Sequence, residues 1–192
     1  MRKLRTNELN RITVEEFKTV DKIPVIIVLD NIRSQNNIGS IFRTADAFLL
    51  QEIHLCGITA TPPNREIHKT ALGATESVKW KYFSSTLDSL NELKKNDFHV
   101  YAVEQTHDSK PLSQFKPEMS KGIAIVFGNE VHGIDEAVLP RVEGCIEIPQ
   151  FGTKHSLNVA VAAGIVIWHI FHQIPFTPQS PPGRVKQPAT GE

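Results

Sequence analysis

PVIIVLD, residues 24–30, is an unbroken run of aliphatic side chains with no polar alternation. That is the pattern of a strand buried on both faces of a parallel sheet. Just downstream, Asn36 or Asn37 is placed to cap a helix in which Ile38, Ile41, Phe42, Ala45 and Phe48 share one face, so the strand gains a helical cover. EIHLCGI (52–58) supplies a second strand. TATPPNREIHKT (59–70), with two prolines and a turn-forming Asn64, reads as a long exposed loop. A short strand near 78–83 and a helix marked by Leu87, Leu90 and Leu93 follow, and further strands are FHVYAVE (98–104), GIAIVFGNE (122–130) and CIEIPQF (145–151). Pro149 ends the last of these or confines it to an edge. From 157 to about 172 the pattern is helical and apolar nearly all round, as in a helix buried between layers or against a partner. Strands alternating with helices define an α/β fold with a mostly parallel sheet flanked by helices.

The bulk properties fit one domain. A chain of 192 residues, 40% hydrophobic and 22% charged, builds one well-buried core with little left for a second. We place it at 24–174, after a basic extension (1–23) and before a proline-rich tail (175–192) expected to be disordered. Lys+Arg and Asp+Glu both number 21, which excludes the overall basic excess of many nucleic-acid binders and leaves such binding to local patches. Arg2, Lys3, Arg5 and Arg11 against Glu8 form one patch, either tracking phosphates or simply solvated. Cys56 and Cys145 stand apart, as reduced thiols in a cytoplasm would. No apolar run reaches the roughly 20 residues of a membrane span, so a soluble protein is expected.

In open α/β sheets, ligands sit beyond the carboxyl ends of the strands, and three polar clusters stand there. The first, NNIGSIFRTADAF (36–48), sets Asn37, Gly39 and Arg43 at a loop-to-helix entry, where a helix N-terminus favours an anion such as a phosphate. An ordinary capped amphipathic helix carries the same residues. The second, GNEVHG (128–133), lets backbone approach a ligand; it is neither a P-loop nor a dinucleotide fingerprint. In the third, IPQFGTKHSLNVAVA (148–162), Ser156 is placed to cap the buried helix while Asn158 sets an amide in its first turn that must find partners.

Taken in order, the clusters resemble the SpoU/TrmH-type RNA 2′-O-ribose methyltransferases of the SPOUT superfamily. The likeness rests on N-x-G-x-x-x-R-T-A-D-A-F from Asn37, F-G-N-E-x-x-G from Phe127 and I-P-x-x-G-x-x-x-S-L-N-V-x-V-A from Ile148. The linking TPPNREIHKTALGA also resembles the shorter members. The resemblance implies a SPOUT fold with a C-terminal deep trefoil knot, which composition does not reveal and connection rules disfavour. It also implies S-adenosylmethionine-dependent 2′-O-methylation of a ribose in tRNA or rRNA, by a cytoplasmic homodimer that uses the apolar 159–168 helix as an interface. By the same resemblance Gly128, Ile148 and Leu157 hold the cofactor with Glu104, Asn129, Pro149 and Gly152 around it. The reactive centre falls on Arg43, with Asn37, Glu130, Ser156 and Asn158 beside it. Arg33, Arg65 and Lys69, which flank the first cluster or lie in the linking segment, are our own candidates for RNA phosphate contacts. One departure is Ala160, where many members have serine.

No metal is expected: His169 and His172 share helical spacing but lack a nearby carboxylate or cysteine. His132 and His155 lie inside the motifs without a required role. Two rivals are a noncatalytic RNA-binding SPOUT protein and a nucleotide-dependent oxidoreductase. Retention of the five reactive-centre residues argues against the first, and the missing fingerprint against the second.

Overall fold

The computed structural model describes residues 2–5, 8–9, 11–118 and 120–174; the proline-rich segment 175–192 lies outside them. Its centre is β1 (Ile23–Asp30), whose Val25, Ile27 and Leu29 enter one core cluster while Ile26 and Val28 enter the other. Burial on both faces is the reason for its unbroken apolar run. The remaining strands are β2 (Leu50–Cys56), β3 (Lys79–Phe83), β4 (Phe98–Val103), β5 (Lys110–Pro111), β6 (Gly122–Phe127) and β7 (Gly144–Glu147). They form one seven-stranded sheet in the order β3-β2-β1-β6-β4-β7-β5, with every pairing parallel. From β1 the chain first builds outward through β2 and β3, then returns to the other side. This reversal makes the gap beyond the carboxyl ends of β1 and β6 the switch point where ligands gather in such sheets.

On one face lie α2 (Gln35–Ala47), α3 (Arg65–Ala71) and α6 (Val159–Phe171), burying Ile38, Ile41, Phe42, Ile67, Ala163 and Val166 against the sheet. The opposite face carries α5 (Thr86–Lys95) through Leu90 and Leu93. Two shorter helices complete the set, α1 (Val14–Thr19) and α4 (Ala74–Ser77). Thr13 and Glu16 close a capping box on α1, and its Phe17 is buried in the main core.

Three local expectations are corrected. Ser34, not Asn36 or Asn37, caps α2, its hydroxyl accepting from the Asn37 amide at 3.3 Å; both asparagines lie inside the first turn. The second half of 59–70 is helix rather than loop, because Asn64 Oδ1 accepts from the Glu66 and Ile67 amides and Ile67 and Ala71 then face the core one turn apart. Asn158 caps α6 in place of Ser156, accepting from the Ala160 amide at 2.9 Å and the Val161 amide at 3.4 Å. α6 is buried along only one side: Val161, Ile165 and Trp168 remain 52%, 38% and 54% exposed. Among the described residues no helix is long and apolar enough to cross a membrane.

Candidate active site

The site is assembled from the loops that leave β1, β4, β6 and β7 at their carboxyl ends. Asp30 closes β1 and is buried; it accepts from Thr86 Oγ1, from Asn31 Nδ2 at 2.8 Å and from the Asp135 amide at 2.9 Å. A buried carboxylate needs such partners, and here they tie the loop after β6 to the end of β1. Asn31 sits in the left-handed region at φ 55, and its carbonyl receives Asn129 Nδ2 at 2.7 Å. Thr59 locks the same turn from the loop after β2, donating to the Leu29 carbonyl and accepting from the Ile32 amide.

After β6 the chain doubles back at once. Asn129 and Gly133 exchange two backbone hydrogen bonds of 2.8 and 2.9 Å, with Gly133 at φ 70. A Cβ on Gly128 would lie 2.3 Å from both the Gly133 carbonyl carbon and the Ile134 nitrogen, so only glycine permits this crossing. Glu104, at the end of β4, braces the turn by accepting from the Ile134 amide at 3.0 Å.

Glu130 stands at the tip. Its carboxylate accepts from the Arg33 amide at 3.1 Å, the Ser34 amide at 3.0 Å and Asn37 Nδ2 at 3.1 Å. Partial burial pushes its carboxyl upward, but hydrogen bonds from the Arg33, Glu130 and Ser34 amides and the Asn37 side chain outweigh that and hold it below the ordinary glutamate value. Asn37 Oδ1 in turn receives Asn158 Nδ2 at 3.0 Å. One asparagine side chain thereby joins all three clusters. The out-of-place amide of Asn158 has its partners: its oxygen caps α6, and its nitrogen reaches α2.

Arg43 lies further along α2 and is exposed, with no hydrogen bond or ion pair among the described residues. Its guanidinium is available to an anion. Ser156 and Leu157 line a cleft of about 110 Å³ together with Glu104, Gln105, Ile148 and Ala162, among others. Of the expected cofactor residues, Glu104, Ile148 and Leu157 meet there, while Gly128 and Asn129 belong to the adjoining turn and Pro149 and Gly152 are exposed on the following loop. The cleft has apolar walls from Ile146, Ile148, Leu157 and Ala162, with Glu104 and Glu147 also among its lining residues. Apolar walls suit an adenosine. The cleft's enclosed part holds only a portion of such a ligand; the rest would extend toward the rim, where Phe151 and Leu157 are 98% and 38% exposed.

The proposed phosphate contacts separate. Arg33 is exposed beside Glu130, which holds its amide; Arg65 is exposed at the start of α3; Lys69 is spent on an ion pair with Glu66 at 2.7 Å. His132 and His155 are exposed, His169 contacts the Phe115 carbonyl, and His172 packs edge-on to Trp168. No group of three metal-binding side chains occurs among the described residues. Sequence reading missed Asp30, Asn31, Thr59 and Thr86. The polar pair Asp30–Asn31 directly after an apolar strand was the available signal, whereas nothing local marks Thr59 or Thr86.

Fold and site together define a parallel α/β domain with a ligand cleft at the carboxyl ends of its strands. An A. aeolicus TrmH/SpoU tRNA-modifying enzyme, 23% identical, shares the fold at a TM-score of 0.73 over 83% of this chain and 80% of that one. The AdoMet-bound rRNA methyltransferase of Sinorhizobium meliloti is 25% identical at a TM-score of 0.73, covering 82% of this chain and 58% of that one. The chain belongs to the SpoU rRNA methylase family, whose model matches residues 24–168, a family of S-adenosylmethionine-dependent RNA 2′-O-methyltransferases. Among its relatives is the tRNA (guanosine(18)-2′-O)-methyltransferase of Thermus thermophilus, 28% identical over 86% of this chain and 84% of that protein.

Proposed function

We propose that this chain methylates the 2′-hydroxyl of a ribose in a folded tRNA or rRNA at the carboxyl ends of β1, β6 and β7. The observation that carries this reading is the Glu130–Asn37–Asn158 chain, which ties three distant segments to α2, the helix of Arg43, and to the residue after Leu157 in the cleft lining; Arg43 has no partner among the described residues. The name of the Thermus relative favours a tRNA.

Bound S-adenosylmethionine supplies an electrophilic methyl on a sulfonium; Ile148 and Leu157 would hold it, with Gly128, Asn129, Glu104, Pro149 and Gly152 shaping the surrounding loops. Holding the ribose oxygen in line contributes much of the rate in such a displacement. The Arg43 guanidinium is a fork of N–H donors with no acceptor. It therefore acts as a cation, binding the phosphate next to the target ribose and stabilising charge that develops on the 2′-oxygen. The hydroxyl proton leaves to water at this open mouth. Ser156, exposed and without a hydrogen bond among the described residues, offers its hydroxyl to the ribose. Glu130 remains ionised and fixes the entry to α2, while Asn37 and Asn158 keep α2 and α6 in register.

The reading includes a C-terminal trefoil knot, supported by the insertion of β6 between β1 and β4 with β7 beyond. It includes a homodimer, supported by the exposed Val161, Ile165 and Trp168 face of α6, and a cytoplasmic setting, supported by two free cysteines. The catalytic unit is 24–174, with α1 of the 1–23 segment packed into its core through Phe17 and 175–192 as an extension. Incubation with radiolabelled S-adenosylmethionine and total cellular RNA tests the activity. Label in RNA is the expected result; RNA binding without label would leave the noncatalytic rival.

A further inference from the structure

The edge strand β3 carries an aromatic side chain that the mechanism does not use. Trp80 is half-buried and walls two cavities. One, of about 530 Å³, lies toward the loop after β2 and is lined by Pro62, Pro63, Arg65, Ile67 and His68, among others. The other, of about 400 Å³, lies toward α1 and includes Lys18, Lys79 and Lys81. Glu76 borders both.

The charge of this groove is net positive. Arg65, Lys18 and Lys79 make no ion pair among the described residues. Glu52, which also lines the second cavity, lies 3.3 Å from Lys81, a lysine shared with Glu92 at 2.7 Å. Four cations, Lys18, Arg65, Lys79 and Lys81, thus line the two cavities against two carboxylates, Glu52 and Glu76. An aromatic face flanked by cations is how proteins hold single-stranded nucleic acid, with bases stacking on the ring and phosphates following the charge. A protein partner would not need cations on both sides of one ring.

We propose that this groove binds an unpaired nucleotide of the RNA substrate, its base stacked on Trp80 and its phosphates on Arg65, Lys18 and Lys79. The proposal rests on the RNA-methylation reading. β3 lies two strands from β1, roughly 10 Å sideways at ordinary strand spacing, and Trp80 pairs with Ile53, below the strand end at Cys56. The nucleotide held here is therefore not the one methylated but another of the same folded RNA. Glu76, as an acceptor, favours a base with an exocyclic amine.

Trp80 and Trp168 are the chain's two tryptophans, so full-length Trp168→Phe reports on Trp80 alone. Unfractionated tRNA is titrated into it at low salt while emission is recorded, with RNA retention on filters measured in parallel. The expected result is saturable quenching with the same midpoint as retention. Arg65→Ala should shift both midpoints several-fold upward and flatten their salt dependence, and Trp80→Ala should weaken retention about tenfold. Trp80→Phe, which keeps a ring, should retain most binding and controls for misfolding. Full retention and normal methyl transfer with unchanged Trp80 emission would overturn this subsite alone. Absence of both retention and methyl transfer when the parent protein is given total cellular RNA would overturn the RNA reading along with it.

Discussion

Asn37→Ala removes the one side chain among the described residues that hydrogen-bonds both Glu130 and Asn158. Two hydrogen bonds are lost, a 3.1 Å bond to an ionised carboxylate and a 3.0 Å bond from an amide. Buried, these would be worth roughly 1.5–3 and 0.5–1.5 kcal/mol; at this exposed site water replaces part of each, leaving about 1–2 kcal/mol in total. For a domain of this size each kcal/mol moves the melting temperature by roughly 2–4 °C, so Tm should fall by about 2–8 °C. Methyl transfer should fall further, roughly 10²-fold, because α2 and α6 lose their mutual register and misplacement by about 1 Å is costly to an in-line reaction. The effect also carries a pH signature. Glu130 is held below its ordinary 4.5, so its stabilising bonds are fully present above that pH and are lost as pH falls through the depressed value. The Tm gap between the parent and Asn37→Ala should therefore narrow on acidification below 4.5. Asn37→Asp, which sets a second carboxylate against Glu130, should be worse than alanine at neutral pH and recover as pH falls. Thermal melts by circular dichroism and single-turnover methyl transfer measure both quantities. A Tm within about 1 °C of the parent together with full turnover would refute the bridging role.

Arg43 has no partner among the described residues, so Arg43→Ala should leave stability within about 0.5 kcal/mol yet reduce methyl transfer roughly 10²-fold or more; near-native turnover of Arg43→Lys would exclude an obligatory guanidinium geometry. Gly128→Ala drives a Cβ to 2.3 Å from the Gly133 and Ile134 backbone and should cost about 1–3 kcal/mol or more in urea unfolding, whereas Gly152→Ala, with nothing within 4 Å of its Cβ, should unfold like the parent. Burial pushes the Cys56 thiol up to about 12 while Cys145 is only partly buried. Iodoacetamide at about pH 8 should therefore alkylate Cys145 in the native protein and spare Cys56, as peptide mass spectrometry would show.

What could be read along the chain was whatever a local pattern encodes. The run at 24–30 announced a doubly buried strand because both of its faces meet a core. The helical register of Leu90 and Leu93 was equally plain. Local patterns failed where two interpretations share the same residues. Ser34 and Asn37 both suit a helix entry, and only the fold shows the Ser34 hydroxyl on the Asn37 amide and the Asn37 amide group on Glu130 and Asn158. Asn158 drew attention as a costly polar group, but its partner on α2 lies across the chain and no spacing rule finds it. α3 was hidden because Pro62, Pro63 and Asn64 look like loop, and only Ile67 and Ala71 mark the buried side of so short a helix. The resemblance pointed to Ile148, Leu157 and Glu104 for the cofactor; the structure brings these three into one cleft with Ser156 and Ala162, and Gly152 is not among its lining.

The central claim is that methyl goes to a ribose oxygen and not to a base, and nucleoside analysis decides it. RNA treated with the full-length protein and S-adenosylmethionine is digested to nucleosides and separated by liquid chromatography with mass spectrometry. The new methyl should appear on the sugar fragment, as a 2′-O-methylnucleoside, and fall roughly 10²-fold or more with Arg43→Ala. Methyl found on a base fragment would contradict the account.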